Sequence, residues 1–324
     1  MKNQDLNKLL QKYFARTNPE AFNLKGFNKE LEGLNLKLSG NVKENIKDEI
    51  LKGLDSRKGQ FATPQLLVDF MVELASPNEG DTILDPTCGV GTFLIRAGTK
   101  AKKLRLFGVE INRENYQVAR FLSDLYSMPI DLLNTDYLTL GYKDLPKANI
   151  IFSNPPFGRI RDKRLLQDFA IQTGSTEALI IQKIIDNLEE NGEVFVVVPN
   201  GLLFRNDLSK LRKYIAEKAS LLSVISLPND IFRPYIGIQT SILVLKKSTQ
   251  IESTYLVNIP SLDELSLVAE QYQRFLNNKS VVVGEVVGKF SSRDNWSVSK
   301  YFQETELKDY LGKVTSATKQ IQFG

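Results

Sequence analysis

The spacing of apolar residues changes near residue 59. Before it, apolar positions recur at helical spacing. Leu6, Leu9, Leu10, Tyr13 and Phe14 do so between Met1 and Thr17, and Val42, Ile46, Ile50 and Leu54 lie four apart. The second set makes a narrow stripe, as expected of a helix that packs over a neighbouring body. From Gly59 onward, short apolar runs alternate with amphipathic stretches. The runs predict strands at Thr82–Asp85, Leu106–Glu110, Asn149–Ser153, Val194–Val198, Leu222–Leu227 and Ser241–Leu245. The stretches predict helices at Thr92–Thr99, Arg113–Tyr126, Ala178–Leu188 and Leu208–Ala219. Beyond Lys247 the pattern weakens: Leu262–Asn277 reads as helix, Val281–Val287 as extended chain, and Trp296 stands alone as the one tryptophan.

Strands alternating with helices predict a mostly parallel sheet with helices on both faces. The last two strands of the series have no helix between them, so they should pair as an antiparallel hairpin. Three regions follow: a helical N-terminal region over 1–56, an α/β domain over 57–247, and an appended segment over 248–324. In sheets of this kind, ligands lie beyond the carboxyl ends of the strands. Asp85, Glu110 and Asn154 all stand at such ends.

Composition narrows the chemistry. The 324 residues, 42% apolar, suffice for one large domain with additions or for two domains. A net charge of +4 permits an anionic partner without requiring one. The chain has no histidine, which excludes a Ser-His-Asp triad, a Cys-His pair and any histidine metal site. The single cysteine, Cys88, excludes a disulfide framework and a cysteine zinc cluster, and it fits a reducing cytoplasm. No metal site is expected. With no apolar run of membrane-spanning length and no signal-like leader, no membrane association is expected and the location is read as cytoplasmic.

The turn Asp85-Pro86-Thr87-Cys88-Gly89-Val90-Gly91-Thr92 joins a predicted strand to a predicted helix. Gly89 and Gly91 allow positive φ and close approach of a ligand to the backbone. By itself such a turn is equally an ordinary connection. Glu110, at the end of the next strand, can accept hydrogen bonds from both ribose hydroxyls of a nucleoside. Residue 94 is Leu, so the dinucleotide fingerprint is incomplete. An acid just before the glycines also suits a cationic amino group better than a pyrophosphate. S-adenosylmethionine has that ammonium and no phosphate. Asp136 can accept from the adenine amino group of such a cofactor, although taken alone it reads as a surface carboxylate.

Asn154-Pro155-Pro156-Phe157 follows the strand ending at Ser153. Two prolines stiffen the loop and keep Asn154 extended. The amide oxygen of Asn154 and the carbonyl of Pro155 can accept from one exocyclic amine. Two acceptors draw a conjugated amino group toward tetrahedral geometry and localise its lone pair, with no strong base required. Phe157 offers an aromatic face for a base turned out of a duplex.

These residues resemble the amino-methyltransferases in which cofactor motifs precede the catalytic motif, and most of all the modification subunit of type I restriction–modification systems. Gly59-Gln60-Phe61-Ala62-Thr63-Pro64 resembles that family's segment before the first strand. The resemblance implies a cofactor contact at Phe61 and a role for Thr63 at the methionine carboxylate. Asp85 to Gly91, with Pro86 and Cys88, resembles its D-P-x-C-G-x-G turn; Glu110, Asp136 and Asn154 to Phe157 fall at its ribose, adenine and catalytic positions. The likeness covers about 57–247, with further blocks at Val196–Leu203 and Ile225–Lys247. It implies a class I S-adenosylmethionine-dependent fold with a seven-stranded sheet, methylation of adenine N6 in double-stranded DNA, and separate specificity and restriction subunits. A target-recognition domain is not recognisable in the sequence.

Arg159, Arg161, Lys163 and Arg164 place four cations just beyond Phe157. They suit phosphates beside a flipped base, and equally a solvated loop. Two other functions remain open at this point. One is methylation of RNA or of a protein glutamine, whose enzymes commonly carry tyrosine at the position of Phe157. The other is a non-catalytic assembly subunit that keeps the fold.

Overall fold

The computed structural model describes residues 2–14, 24–33, 40–55, 63–141, 143–160, 162–229, 231–232, 237–248, 251–288, 290 and 295–306. The chain forms two compact units, Met1–Asn154 with Phe232–Gly237 and Pro155–Ile231 with Ile238–Gly324.

The first unit opens with helices α1 (Lys2–Phe14), α2 (Leu24–Gly33) and α3 (Gly40–Asp55). Then come α4 (Gln65–Ala75), β1 (Thr82–Asp85), α5 (Thr92–Lys100), β2 (Arg105–Val109), α6 (Arg113–Leu125), β3 (Ile130–Leu133) and β4 (Ala148–Ser153). The strands run in the order β3-β2-β1-β4, all parallel, with Leu84 opposite Phe107 of β2 and Ile151 of β4. α6 starts sharply because the Asn112 side chain caps it, accepting from the N–H groups of Glu114 and Asn115.

The N-terminal helices pack on α6. Leu6, Leu9 and Leu10 of α1, Phe27 and Leu31 of α2, and Ile46 and Ile50 of α3 form one buried cluster with Val118, Phe121 and Leu122 of α6. Phe27 meets Tyr13 and Phe121 edge-on, with ring centroids 5.7 and 5.8 Å away. Each aliphatic side chain so buried contributes about 1.5–3 kcal/mol. The α3 stripe is thus a packing face: Ile46 and Ile50 are fully buried and Val42 packs beside them. The side chains of Phe14 and Leu54 lie outside the described residues.

The second unit holds α7 (Thr176–Asn187), β5 (Leu188–Pro199), α8 (Gly201–Phe204), α9 (Ser209–Lys218), β6 (Ser220–Ser226), β7 (Thr240–Lys246), β8 (Ser253–Asn258), α10 (Leu265–Leu276) and β9 (Glu285–Gly288). The order is β5-β7-β6-β8-β9. β7 is antiparallel to both β5 and β6, β8 is parallel to β6, and β9 is antiparallel to β8. The expected β6–β7 hairpin is present. Trp296 is fully buried, and its backbone N–H donates to the Leu203 carbonyl at 2.8 Å.

One expectation needs correction. Nine strands, not seven, occur among the described residues. β8 and β9 come from the stretch where the pattern is weakest, and β8 joins the order by pairing with β6.

Candidate cofactor turn and catalytic loop

Within the first unit, the ends of β1, β2 and β4 gather the sequence-predicted residues. Asp85 closes β1 at 1% exposure, and its Oδ1 accepts from the Thr87 N–H at 3.0 Å. Burial pushes its carboxyl up to about 8; the Thr87 bond opposes the shift and the nearby Glu110 adds to it. Glu110, just past β2, spans two connections. Its Oε2 accepts from the Gly89 N–H at 2.8 Å and its Oε1 from the Asn112 N–H at 2.6 Å. Burial raises its carboxyl too, and these two donors hold it back.

The turn itself is fixed by backbone bonds. The Cys88 N–H donates to the Val109 carbonyl at 2.9 Å, seating the turn on β2. The seat is tight: a Cβ at Gly108 would lie 3.0 Å from the Cys88 Sγ and 2.7 Å from a Leu132 methyl. Gly89 and Gly91 have φ of +55° and +82°. A Cβ built at Gly89 meets no heavy atom within 4 Å, so conformation, and not crowding, calls for glycine. The same open space lets a ligand approach the backbone. Pro86 and Cys88 are buried, and burial pushes the Cys88 thiol well up, away from reactive thiolate.

Asn154 follows β4. Its Nδ2 donates to the Thr63 Oγ1 at 3.1 Å, across 91 positions of sequence. Among the described residues no hydrogen bond reaches its Oδ1. Beside it, the hydroxyls of Ser153 and Thr87 lie 3.0 Å apart and tie β4 to the turn. Phe152 stacks on Phe93 with centroids 5.3 Å apart, stiffening the strand end. Asp136 is half-buried and caps the short 3₁₀ turn Tyr137–Thr139, its Oδ1 accepting from the Leu138 N–H at 2.9 Å. Thr63, Asp85, Gly89, Glu110 and Asn154 are therefore linked pairwise or through the turn; Asp136 is not bonded to them.

In the second unit, Pro155 is buried, Pro156 exposed and Phe157 half-buried. Arg159 and Lys163 are exposed. Arg164 turns back on its own loop and grips Asp162 with two bonds, at 2.9 and 2.7 Å, which hold the Asp162 carboxyl down at about 2. Phe61 and Arg161 lie outside the described residues.

Three residues escape a reading of the sequence. Ile111, directly after Glu110, is 67% exposed; a large apolar residue in a turn after a strand-end acid is the signal. The Asn134 Nδ2 donates to the Glu110 carbonyl at 2.8 Å. Glu177 is buried at the start of α7 and accepts from the Gly158 N–H at 3.2 Å. No cluster of metal-ligating side chains and no helix long and apolar enough to cross a membrane occur among the described residues.

The architecture is that of the class I S-adenosylmethionine-dependent methyltransferases. A putative enzyme of that class from Listeria monocytogenes superposes with a TM-score of 0.68 at 20% identity, covering 85% of this chain and 98% of its own. The type I restriction–modification methyltransferase subunit of Streptococcus thermophilus gives 0.71 at 20% identity, over 91% and 73%. In sequence, the chain is 29% identical over 239 residues to the type I restriction enzyme EcoEI methylase subunit of Escherichia coli, which is 67% of this chain and 49% of that one. The family described as N-6 DNA Methylase matches residues 37–322, and the chain belongs to it. It spans about half the length of the curated relatives it matches.

Proposed function

We propose that the chain transfers a methyl group from S-adenosylmethionine to the N6 amine of an adenine turned out of double-stranded DNA, as the modification subunit of a restriction–modification system. Its partners on this reading are a separate specificity subunit and a restriction subunit. The observation that carries the reading is the orientation of the Asn154 amide: its N–H₂ side is engaged by Thr63, which leaves the carbonyl oxygen as acceptor.

The residues at the strand ends fit the cofactor. The buried carboxyl of Asp85, pushed up to about 8, is a site that gains by meeting a cation, as an ammonium would provide. The Glu110 oxygens each accept one backbone N–H and keep lone pairs for ribose hydroxyls. The Thr63 hydroxyl accepts from Asn154 and keeps its own proton to donate to a carboxylate. The open face of Gly89 leaves room for the nucleoside, with Pro86, Cys88 and Gly91 shaping the turn. Asp136, Phe61 and the exposed Ile111 are assigned to the adenine and its surroundings. When bound, S-adenosylmethionine supplies a methyl group on a sulfonium, open to attack by a weak nucleophile.

The protein's own contribution is orientation. The Asn154 oxygen and the Pro155 carbonyl accept from the two N–H bonds of the target amine and aim its lone pair. Preorganised acceptors of this kind are worth more than a mobile base. Pro156 stiffens the loop, and Phe157 stacks on the base, offsetting part of the few kcal/mol that flipping costs. Arg159, Arg161, Lys163 and Arg164 are assigned to the phosphates.

Incubation with methyl-labelled cofactor and either unmethylated duplex DNA, RNA or polypeptide tests the proposal. Label on adenine N6 of DNA alone is expected. Label in polypeptide or RNA and not in DNA overturns it.

A further inference from the structure

Two buried polar side chains of α7 that the mechanism above does not use reach the same loop. Glu177 is 7% exposed and Gln182 2% exposed. Between them they hold residues 158–175 at two points, Gly158 and Ile171. At the near end, the Glu177 Oε2 accepts from the Gly158 N–H at 3.2 Å, and the Gly158 carbonyl accepts from the Thr176 N–H at 2.9 Å. Gly158 is thus held through both its N–H and its carbonyl, at a φ of +149° that favours glycine. At the far end, the Gln182 Oε1 accepts from the Ile171 N–H at 2.8 Å while its Nε2 donates to the Ile171 carbonyl at 3.0 Å. The two legs also zip together: the Ile160 N–H donates to the Gly174 carbonyl at 2.9 Å, and Arg159 bridges Ser175.

A buried carboxylate is unfavourable unless its surroundings supply positive charge or donors. Glu177 sits in the first turn of α7, which Ser175 caps, so the positive end of the helix dipole and the Gly158 N–H share that task. The same bond immobilises the residue directly after Phe157. A Gln at 182 that bonds both the N–H and the carbonyl of one distant residue likewise fixes backbone.

We propose that Glu177 and Gln182 are positioning residues: by anchoring the 158–175 loop to α7 at Gly158 and Ile171, they set Phe157 for stacking on the target base and present Arg159 and Lys163 to the DNA strand. The inference rests on the DNA-methylating reading of Phe157.

Limited trypsin digestion of the full chain tests the anchoring without DNA, by the rate of cleavage after Arg159, Lys163 and Arg164. Glu177→Met and Gln182→Leu keep side-chain volume and lose the hydrogen bonds. Each should speed cleavage about tenfold, with the melting temperature and cofactor affinity close to wild type. Glu177→Gln keeps an acceptor and should stay within about threefold of wild type. In methyl transfer at saturating cofactor and DNA, Glu177→Met should lose about tenfold in kcat, and Glu177→Gln should restore most of it. Unchanged cleavage in both Glu177→Met and Gln182→Leu overturns the anchoring. Faster cleavage with kcat within twofold of wild type overturns the positioning role. A wild-type chain that puts no label into DNA removes the functional reading and the positioning role with it, and proteolysis, which needs no DNA, tells that failure from the first.

Discussion

The turn between β1 and α5, with Glu110 beside it at the end of β2, combines buried acids and committed backbone donors, whereas the 158–175 loop carries exposed cations and is held at Gly158 and Ile171. At the turn, Asp85 and the neighbouring Glu110 past β2 are nearly inaccessible, and Glu110 already bonds the N–H groups of Gly89 and Asn112. In the loop, Arg159 and Lys163 face solvent, and Arg164 is paired to its neighbour Asp162. The contrast follows from the partners proposed for each. A small cofactor is enclosed, so its contacts act at low dielectric and small displacements cost much. A DNA strand is long and hydrated, so its phosphates are met at the surface, where screening by salt is strong.

The largest expected effect lies at the amide. Asn154→Ala should lower methyl transfer by about 1000-fold, as loss of a preorganised polar group does elsewhere, while cofactor affinity stays within about threefold; a loss of cofactor binding instead would place Asn154 in the wrong role. Next is Glu110→Ala, which removes the ribose acceptors and also frees two backbone donors. Calorimetry should find cofactor affinity weaker by roughly 100-fold.

Asp85 supplies a smaller effect with a definite sign. Its carboxyl ionises near its ordinary 3.8 in the unfolded chain and at about 8 in the folded one. The folded chain therefore binds the extra proton between these values, and this group's contribution to stability falls as pH rises from about 4 to about 8. Thermal melts of the cofactor-free chain should show that decline reduced in Asp85→Asn. A cationic cofactor favours the ionised form, so binding near pH 7 should release protons, read as heats that differ between buffers of unlike ionisation enthalpy. The smallest effects lie in the loop. Arg159→Ala and Lys163→Ala should each lower the slope of log affinity for DNA against log salt by about one, and leave the rate at saturating DNA unchanged. Arg164→Ala should do less, because Asp162 already neutralises that cation.

The same contrast runs through what could be read from the sequence. β1, α5, β2 and α6 were legible because the helices have a clear period and each strand is a short apolar run that leads into an acid, Asp85 or Glu110. α4 was not: Leu67, Val68, Phe70, Met71, Val72 and Leu74 are all buried, so Gln65–Ala75 has little polar face to mark it as a helix. β3 is four residues long and only half-buried, and β8 acquires its place by pairing with β6, more than two dozen residues earlier. At the site, Asp85, Gly89, Gly91, Glu110 and Asn154 announce themselves by position at strand ends. The Thr63–Asn154 bond does not, since 91 residues separate its partners. Glu177 and Gln182 read as ordinary members of an amphipathic helix; only the fold shows that they hold Gly158 and Ile171.

The account turns on which way the Asn154 amide faces, and the Thr63 hydroxyl is the group that its Nδ2 meets. Single-turnover methyl transfer to duplex DNA, with cofactor saturating, should be compared for Thr63→Val and Thr63→Ser. The valine variant, which fits the space but accepts no hydrogen bond, should transfer about tenfold more slowly, and the serine variant should match wild type. Wild-type transfer by Thr63→Val would contradict the account.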